Sequence, residues 1–311
     1  MTFRRAGRAP RVPPAVLRAG VGKLGRRCLD PALPWPVQRT RLDRLFRTGV
    51  LPRDTRLTQR TLAGIPAEVV SAGEPGPGPT VVHFHGGGYC IGSALTARAW
   101  AANLAARTGG RVVQPGYRLA PEHPYPAALQ DARTVYATLL GQAEPGSIVV
   151  SGDSAGAGLA LALAVSLRDG GQEPPAGCIL LSPWLDLGRD RRAIPALVRS
   201  DVLLSPGWLD ACARAYAPPD AWADPSVSPL HAQHRGLPPL LIQAGTDELL
   251  APDAGLLAAS ASAAGADVTY TRWPRMWHDF PLQAGLLAAA DSAVAQAAWF
   301  TGQVTAGGLC R

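Results

Sequence analysis

A serine between glycines is the position in this sequence best suited to nucleophilic chemistry. Residues 152–156, GDSAG, fit the pattern G-x-S-x-G. The segment follows the strand-like run SIVV and opens the helical run AGAGLALALAVSLR. A strand–turn–helix of this kind is a nucleophile elbow, which holds Ser154 at the carboxyl end of a sheet. Because such a pentapeptide also occurs by chance in glycine-rich turns, the interpretation needs partners elsewhere in the chain.

A run of glycines precedes Ser154 by about 70 residues. Residues 85–89, HGGGY, come directly after the strand-like run TVVHF. Consecutive glycines leave backbone N–H groups free to point at one oxygen atom, and the start of the helix after Ser154 adds the N–H of Ala155. A flexible loop is the alternative for the glycines alone. Their distance from GDSAG favours an oxyanion hole.

The general base and its orienting acid should follow Ser154 in the order Ser, Asp, His. Of the six histidines, only His278 follows a predicted strand late enough in the chain, after VTYTR. Asp247 follows the strand before it, PLLIQ, in the segment AGTDELL. Both loops should lie at the same sheet edge as Ser154, so we predict that Asp247 orients His278.

Three other acidic residues compete with Asp247 for this role. They are Glu248, Asp253 and Asp279. Asp253 opens the next predicted helix and is expected to be its N-cap. Asp279 is adjacent to His278 in the chain, which makes it difficult for its carboxylate to orient that ring.

Strand-like and helix-like segments alternate from about residue 66 onward. The predicted strands are 80–84, 111–113, 147–151, 178–181, 239–243 and 268–272, and the predicted helices are 96–107, 127–140, 155–168, 253–264 and about 286–300. This alternation predicts an α/β fold with a mostly parallel central sheet and helices on both faces.

Two regions interrupt the alternation. Residues 1–60 are rich in Arg, Pro and Leu without strand signals, and residues 185–236 contain many Pro and Arg residues with a helical piece near 208–216. We predict an N-terminal helical cap segment over 1–60 and a catalytic domain over 61–311, with 185–236 as a cap insertion.

The net charge of +7 belongs to one end of the chain. Residues 1–60 carry fifteen basic and three acidic side chains, a net charge of +12, so the remainder carries about −5. A basic arm can contact anionic partners, but the body has no basic stripe. We therefore predict a solvated arm, a small-molecule substrate and no nucleic-acid partner.

Cysteine spacing and hydropathy indicate the compartment. The five cysteines form no CxxC pair and no metal-ligand spacing, and an odd, sparse set suits a reducing compartment. Arg4 and Arg5 resemble a targeting segment, but further basic residues interrupt any apolar run that could follow. We predict a cytoplasmic protein without stable membrane insertion. The sequence leaves its oligomeric state open, a homodimer included.

Six segments occur together in one order: HGGGY, YRLAPEHPYPAALQD, GDSAG, DPSVSPL, AGTDELL and WHDF. With them the chain resembles the hormone-sensitive-lipase-like (bacterial family IV) carboxylesterases of the α/β-hydrolase fold. The resemblance covers roughly residues 75–300. It departs from the family after AGTDELL, where the next aspartate usually lies slightly nearer than Asp253.

This resemblance implies roles for particular residues. The implied catalytic triad is Ser154, Asp247 and His278, and the implied oxyanion hole is Gly87, Gly88 and Ala155. Residues 1–60 and the insertion would cover the site. Within YRLAPEHPYP, we expect Arg118 and Glu122 to pair and to stabilise a loop.

The reaction expected from these residues is hydrolysis of short-to-medium acyl esters through an acyl-serine, with no metal or organic cofactor. Tyr89 beside the glycine run and Trp208 in the insertion are predicted to line the substrate pocket. Hydrolysis of a lactone, amide or carbamate by the same triad is one alternative. A non-catalytic small-molecule-binding protein is another, because fold alone does not determine function.

Overall fold

Apolar and β-branched runs form the strands of one central sheet. The computed structural model describes residues 11–47, 49–73, 78–143 and 146–306. Their strands are β1 (Thr55–Leu62), β2 (Ile65–Ala72), β3 (Thr80–Phe84), β4 (Arg111–Pro115), β5 (Ile148–Asp153), β6 (Gly177–Leu181), β7 (Leu240–Gly245) and β8 (Val268–Trp273). The sheet order is β1-β2-β4-β3-β5-β6-β7-β8. The pairs β1–β2 and β2–β4 are antiparallel and the others parallel, which confirms the predicted mostly parallel sheet.

Helices cover both faces of this sheet. They are α1 (Pro14–Gly25), α2 (Trp35–Phe46), α3 (Ala94–Thr108), α4 (Ala127–Leu140), α5 (Ala155–Asp169), α6 (Pro195–Ser200), α7 (Pro206–Tyr216), α8 (Ala251–Ala263) and α9 (Ala288–Ala306). Successive side chains of β5 point to opposite faces. Val149 packs in a cluster with α3 and α9, and Val150 in a cluster with α4, α5 and α8. None of the described helices has the length and apolar content needed to cross a membrane.

The N-terminal segment contains two helices and the start of a strand. α1 and α2 confirm the short helices predicted over 1–60, although Arg4 and Arg5 lie outside the described residues, as does Cys310. The expectation that residues 1–60 contain no strand is wrong, because β1 begins at Thr55. β1 is an edge strand whose side chains are mostly exposed. Its sequence TRLTQRTL therefore lacks the apolar alternation by which a strand is recognised.

The N-terminal segment and the insertion pack against each other over the sheet edge. Trp208 Nε1 in α7 donates to Gln38 Oε1 in α2 at 2.9 Å. Arg26, just after α1, donates to the carbonyl of Asp201 at 2.6 Å. A Cβ placed on Gly25 would lie 2.3 Å from Leu203 Cδ1, so α1 and the insertion are in close contact. The two regions that interrupt the alternation in sequence thus form one covering layer.

A buried ion pair connects the insertion to α8. Asp253 lies in the first turn of α8, not at its N-cap, and is fully buried. Both of its oxygens lie 2.8 Å from the guanidinium nitrogens of Arg191, which is 3% exposed. The Asp253 carboxylate also accepts the backbone N–H of Leu185 at 3.0 Å.

We expect Asp253→Ala to lower the free energy of unfolding by about 3 to 5 kcal/mol, because it leaves a buried guanidinium without its counter-charge. Chemical denaturation followed by circular dichroism measures this change. Asp220→Ala, which removes an exposed carboxylate of the same insertion, should change the free energy by no more than about 0.5 kcal/mol. Equal effects of the two variants would contradict the assigned importance of the Asp253–Arg191 pair.

Candidate active site

Ser154 stands in a sharp turn between β5 and α5. Its backbone has φ 54° and ψ −119°, a conformation that L-residues rarely adopt and that places its side chain at the carboxyl end of β5. The Ser154 N–H donates to the carbonyl of Leu181 on β6 at 2.9 Å. The turn also requires glycine nearby, since a Cβ on Gly156 would lie 2.0 Å from the carbonyl oxygen of Phe84.

His278 lies in the loop after β8 and reaches Ser154 directly. Its Nε2 is 3.0 Å from Ser154 Oγ, and the ring is only 2% exposed. Strands β5 and β8 are parallel members of the sheet, so both residues lie at the same edge, as the sequence predicts. The separation is within reach for proton transfer between a hydroxyl and an imidazole.

The carboxylate beside His278 belongs to Glu248, and the predicted role of Asp247 is therefore wrong in this structure. Glu248 Oε2 lies 3.2 Å from His278 Nδ1, and Glu248 is fully buried. Asp247 Oδ2 instead lies 3.1 Å from Nη1 of Arg18 in α1, and its side chain is 26% exposed.

The loop geometry explains this difference. The Asp247 N–H donates to the carbonyl of Met276 at 3.1 Å, so the chain at Asp247 still runs beside the loop of His278. In this turn after β7 the two adjacent carboxylates are directed to opposite sides, Asp247 toward Arg18 and Glu248 toward His278. Glu248 therefore points inward and Asp247 outward. In the chain order of such triads, the acid between the serine and the histidine can be aspartate or glutamate. This was the one indication in the sequence that Glu248 could be the acid.

A carboxylate of the insertion supports the loop that carries Glu248. Asp201 is fully buried, and its Oδ2 accepts the backbone N–H of Leu249 at 2.8 Å. Its Oδ1 accepts the N–H groups of Leu203 and Leu204, both at 2.8 Å. Burial raises the pKa of Asp201, while His278 and these three N–H groups oppose the rise. Asp201 thus fixes the backbone next to the acid from outside the sheet.

A second carboxylate lies on the opposite side of the imidazole. Asp279 Oδ2 is 3.0 Å from His278 Nε2, the nitrogen that also contacts Ser154. Against the expectation from sequence, the position of Asp279 next to His278 in the chain does not prevent its carboxylate from contacting the ring, because its backbone is left-handed. The sequence contained no signal for a carboxylate at Nε2.

The two carboxylates control the charge of His278. Burial alone would lower the pKa of His278, but Asp279 and Glu248 raise it well above its usual value. Burial raises the pKa of Glu248, and the His278 ring and the Ser182 hydroxyl oppose that rise. The site therefore stabilises the imidazolium, which is the form that His278 takes after accepting a proton from Ser154.

The glycine run lies beside Ser154 with its amides available. The N–H of Gly86 donates to Asp153 Oδ2 at 2.9 Å. Gly87 and Gly88 have φ of 112° and 61°, and within the described residues their N–H groups donate to no protein acceptor. Gly88 also lies against α7, since a Cβ there would be 2.5 Å from Cys212 Sγ. These amides and that of Ala155 at the start of α5 are the candidate oxyanion-hole donors.

The side chains of Asp153 and Arg39 bind the backbone on either side of Gly87 and Gly88. Asp153 Oδ1 lies 2.9 Å from Nε2 of the buried His83. Arg39 of α2 donates to the carbonyl of Cys90 at 2.8 Å and binds Glu122 at 2.6 Å. The expected Arg118–Glu122 pair is therefore wrong.

Arg118 binds a different carboxylate. Its guanidinium lies 2.8 Å from Asp131 Oδ1 in α4. Arg118 and Glu122 thus each have a partner outside the YRLAPEHPYP segment, and the structural role predicted for the segment is retained with these new partners.

A cavity of about 360 Å³ opens beside Ser154 and His278. Its walls are mostly apolar and come from the covering layer, for example from Leu17, Val21, Leu29, Phe46, Leu204 and Trp208. Asp279 lines it as well. No group of three or more His, Cys, Asp or Glu side chains in the described parts of the chain is arranged to hold a metal ion.

The two residues predicted to line the pocket differ in position. Trp208 lines the cavity and packs against Gly88. Tyr89 does not line it, because its φ of 62° turns the side chain toward α7. There its ring stacks on Tyr216 with centroids 3.8 Å apart and is 2% exposed. Tyr89 is a core residue, and its predicted contact with substrate is wrong.

Replacing Glu248 and Asp247 by their amides, one at a time, distinguishes the roles of these neighbouring acids. Glu248→Gln should lower kcat roughly 10⁴-fold, because an amide neither selects the required tautomer nor stabilises the imidazolium. Asp247→Asn should lower it less than about tenfold, since a partly exposed ion pair contributes at most about 1 kcal/mol. Turnover of p-nitrophenyl butyrate by both purified variants, with thermal unfolding as the folding control, measures this. A larger loss in Asp247→Asn would restore Asp247 as the acid.

Comparison with known proteins identifies the family of this chain. A family model described as an alpha/beta hydrolase fold matches residues 81–282. The chain is 40% identical over 202 residues to an acetyl-hydrolase of Streptomyces hygroscopicus, which covers 65% of this chain and 68% of the relative. It is 37% identical over 261 residues to an esterase of Acinetobacter venetianus, covering 83% and 86% of the two chains.

Solved structures extend the similarity to the whole architecture. The crystal structure of an esterase from the bacterial hormone-sensitive lipase family matches 94% of this chain and 100% of its own, with a TM-score of 0.88 and 31% identity. A hormone-sensitive lipase from a metagenome library matches 96% and 100%, with a TM-score of 0.87 and 30% identity. The chain therefore belongs to the hormone-sensitive-lipase-like carboxylesterases of the α/β-hydrolase family.

Proposed function

We propose that this serine carboxylesterase uses Ser154 as nucleophile, His278 as general base and Glu248 as the acid that orients it. The observation that carries this proposal is the continuous set of contacts from Ser154 Oγ to His278 Nε2 at 3.0 Å and from His278 Nδ1 to Glu248 Oε2 at 3.2 Å. The substrate class that this arrangement supports is a small carboxylic ester bound in the adjoining cavity.

Acylation begins when His278 Nε2 removes the hydroxyl proton of Ser154 as its Oγ attacks the ester carbonyl carbon. The carbonyl π electrons move onto oxygen, and the N–H groups of Gly87, Gly88 and Ala155 bind the resulting oxyanion. Each such donor contributes roughly 3 kcal/mol to lowering the barrier. When the tetrahedral intermediate collapses, the carbon–oxygen bond to the alcohol breaks and His278 protonates the departing alkoxide.

Deacylation repeats these steps with water. His278 removes a proton from a water molecule whose oxygen attacks the acyl-serine carbonyl, and the same amides bind the second oxyanion. Collapse then releases the acid, and the proton returns to Ser154 Oγ. In both halves Glu248 remains ionised and stabilises the imidazolium without accepting its proton.

The cavity supports a preference for short to medium acyl groups. Its volume of about 360 Å³ is near the lower end of the roughly 300–1,000 Å³ of small-molecule sites. Hydrolysis of lactones, amides or carbamates by the same residues is a second candidate, and no contact in the cavity favours it over ester hydrolysis.

We also propose a cytoplasmic location. The four cysteines within the described residues, Cys28, Cys90, Cys178 and Cys212, are free thiols in buried positions. Such thiols persist in a reducing compartment, and burial raises the pKa of the Cys178 thiol, which makes it unreactive.

Ser154→Ala should abolish ester turnover: we expect kcat to fall about 10⁶-fold, the loss that removal of the nucleophile causes in a well-studied serine protease. The free energy of unfolding should stay near the wild-type value, because the close approach at the elbow needs glycine and not the hydroxyl. A fluorophosphonate that labels active serines, followed by peptide mass spectrometry, should modify Ser154 alone. Labelling at another serine would overturn the assignment.

Acyl preference should lie between two and about eight carbons. Each further buried methylene gains about 0.8 kcal/mol only while the cavity has room for it, and overpacking then reverses the gain. The value of kcat/KM for p-nitrophenyl esters from C2 to C16 measures this preference. A maximum at C12 or longer would contradict the prediction, as would activation at a lipid–water interface.

A further inference from the structure

The Asp279 carboxylate occupies a position that the proposed reaction does not use. Its Oδ2 lies 3.0 Å from His278 Nε2, at the nitrogen that must protonate the departing alcohol. The residue has φ 55° and ψ 30°, and its N–H donates to the Ser182 hydroxyl at 3.1 Å. This left-handed backbone holds the carboxylate on the reacting side of the ring, where it lines the cavity.

This carboxylate is incompletely satisfied by the protein. Within the described residues, Asp279 Oδ1 is buried and accepts no hydrogen bond. A buried charged oxygen without a partner is unfavourable unless a ligand or solvent pairs with it. The remaining 13% exposure of the side chain shows that the cavity reaches it.

The charges around Asp279 do not offset its own. The groups that interact with it electrostatically are the His278 ring, which favours its ionised form, and the carboxylates of Asp153 and Glu248, of which Asp153 acts more strongly. Asp153 is bound to His83 Nε2 at 2.9 Å, but Glu248 and Asp279 share the single imidazole of His278, so these two carboxylates are short of positive charge.

The arginines that line the cavity do not supply the missing positive charge. Arg98 donates to both oxygens of Glu68, from Nε to Oε1 at 2.8 Å and from Nη2 to Oε2 at 2.5 Å. Arg47, at the end of α2, is exposed, so solvent and salt screen its charge.

We propose that Asp279 determines specificity by favouring esters whose alcohol carries a positive charge close to the ester oxygen. This inference rests on the proposed roles of Ser154 and His278. During acylation the departing oxygen must come within about 3 Å of His278 Nε2, and it then lies within about 6 Å of Asp279 Oδ2. A cation two carbons from that oxygen lies three single bonds of about 1.5 Å beyond it, so it can approach the carboxylate.

The preference should depend on pH in a defined direction. Burial raises the pKa of Asp279 to about 7, against the opposing effect of the His278 ring. The carboxyl group is protonated and neutral below that pH, and ionised above it. Attraction of a permanently charged substrate should therefore increase from pH 6 to pH 8.

A matched pair of substrates isolates this effect. Butyrylcholine carries a permanent positive charge, and 3,3-dimethylbutyl butyrate has the same shape without it. The ratio of their kcat/KM values, measured on one enzyme preparation, does not depend on the fraction of active protein. We expect a ratio of about 10 for the wild type at pH 8, which corresponds to about 1.4 kcal/mol, and a smaller ratio at pH 6.

Two variants complete the test. Asp279→Asn keeps a side chain that tolerates the left-handed backbone but removes the charge, so its ratio should fall to about one third of the wild-type value or lower and should not change with pH. Asp220→Asn, which removes an exposed carboxylate of the insertion, should keep the wild-type ratio. A wild-type ratio at or below one overturns the role of Asp279, and so does an unchanged ratio in Asp279→Asn.

The same preparations separate this inference from the function on which it rests. Turnover of p-nitrophenyl butyrate with a wild-type ratio at or below one overturns the role of Asp279 alone. Absence of p-nitrophenyl butyrate turnover in the wild type overturns both.

Discussion

Burial of the His278 ring is the constraint on which the arrangement of the site depends. A base that accepts the serine proton becomes a cation, and at 2% exposure His278 has almost no water to stabilise that charge. Glu248 supplies the counter-charge, but it is buried as well, so its own position must be held by the protein. Asp201 does this through the adjacent backbone N–H of Leu249.

The covering layer therefore helps to build the site as well as to enclose it. Arg18 of α1 binds three segments: its guanidinium lies 3.1 Å from Asp247 Oδ2, and donates to the carbonyls of Arg275 at 3.2 Å and Ser200 at 2.7 Å. These segments are the loop that carries Glu248, the loop that carries His278, and the insertion. A single side chain of the N-terminal segment thus contacts both loops, which are also joined directly by the hydrogen bond from the Asp247 N–H to the carbonyl of Met276.

The segments that could be predicted from sequence are those that are buried along their whole length, because such burial requires a continuous run of apolar residues. Strands such as β5 and β7 are buried on both faces and form near-continuous apolar runs, so their positions were predicted to within about two residues. The acid could not be assigned in the same way. Asp247 and Glu248 are adjacent in the chain, and the side chain that binds one of them, Arg18, is remote in sequence. Tyr89 shows the same limit, since a positive φ turned it toward Tyr216.

Three arginines of the N-terminal segment bind other parts of the fold. Arg18, Arg26 and Arg39 each donate to main-chain carbonyls of another segment, and Arg39 also binds Glu122. A guanidinium presents up to five donors in a planar arrangement, which suits it to join loops that offer carbonyl oxygens and few side chains. Loops at a sheet edge present such carbonyls because they lack regular backbone pairing. Part of the basic charge of this segment thus serves contacts with the loops around the active site.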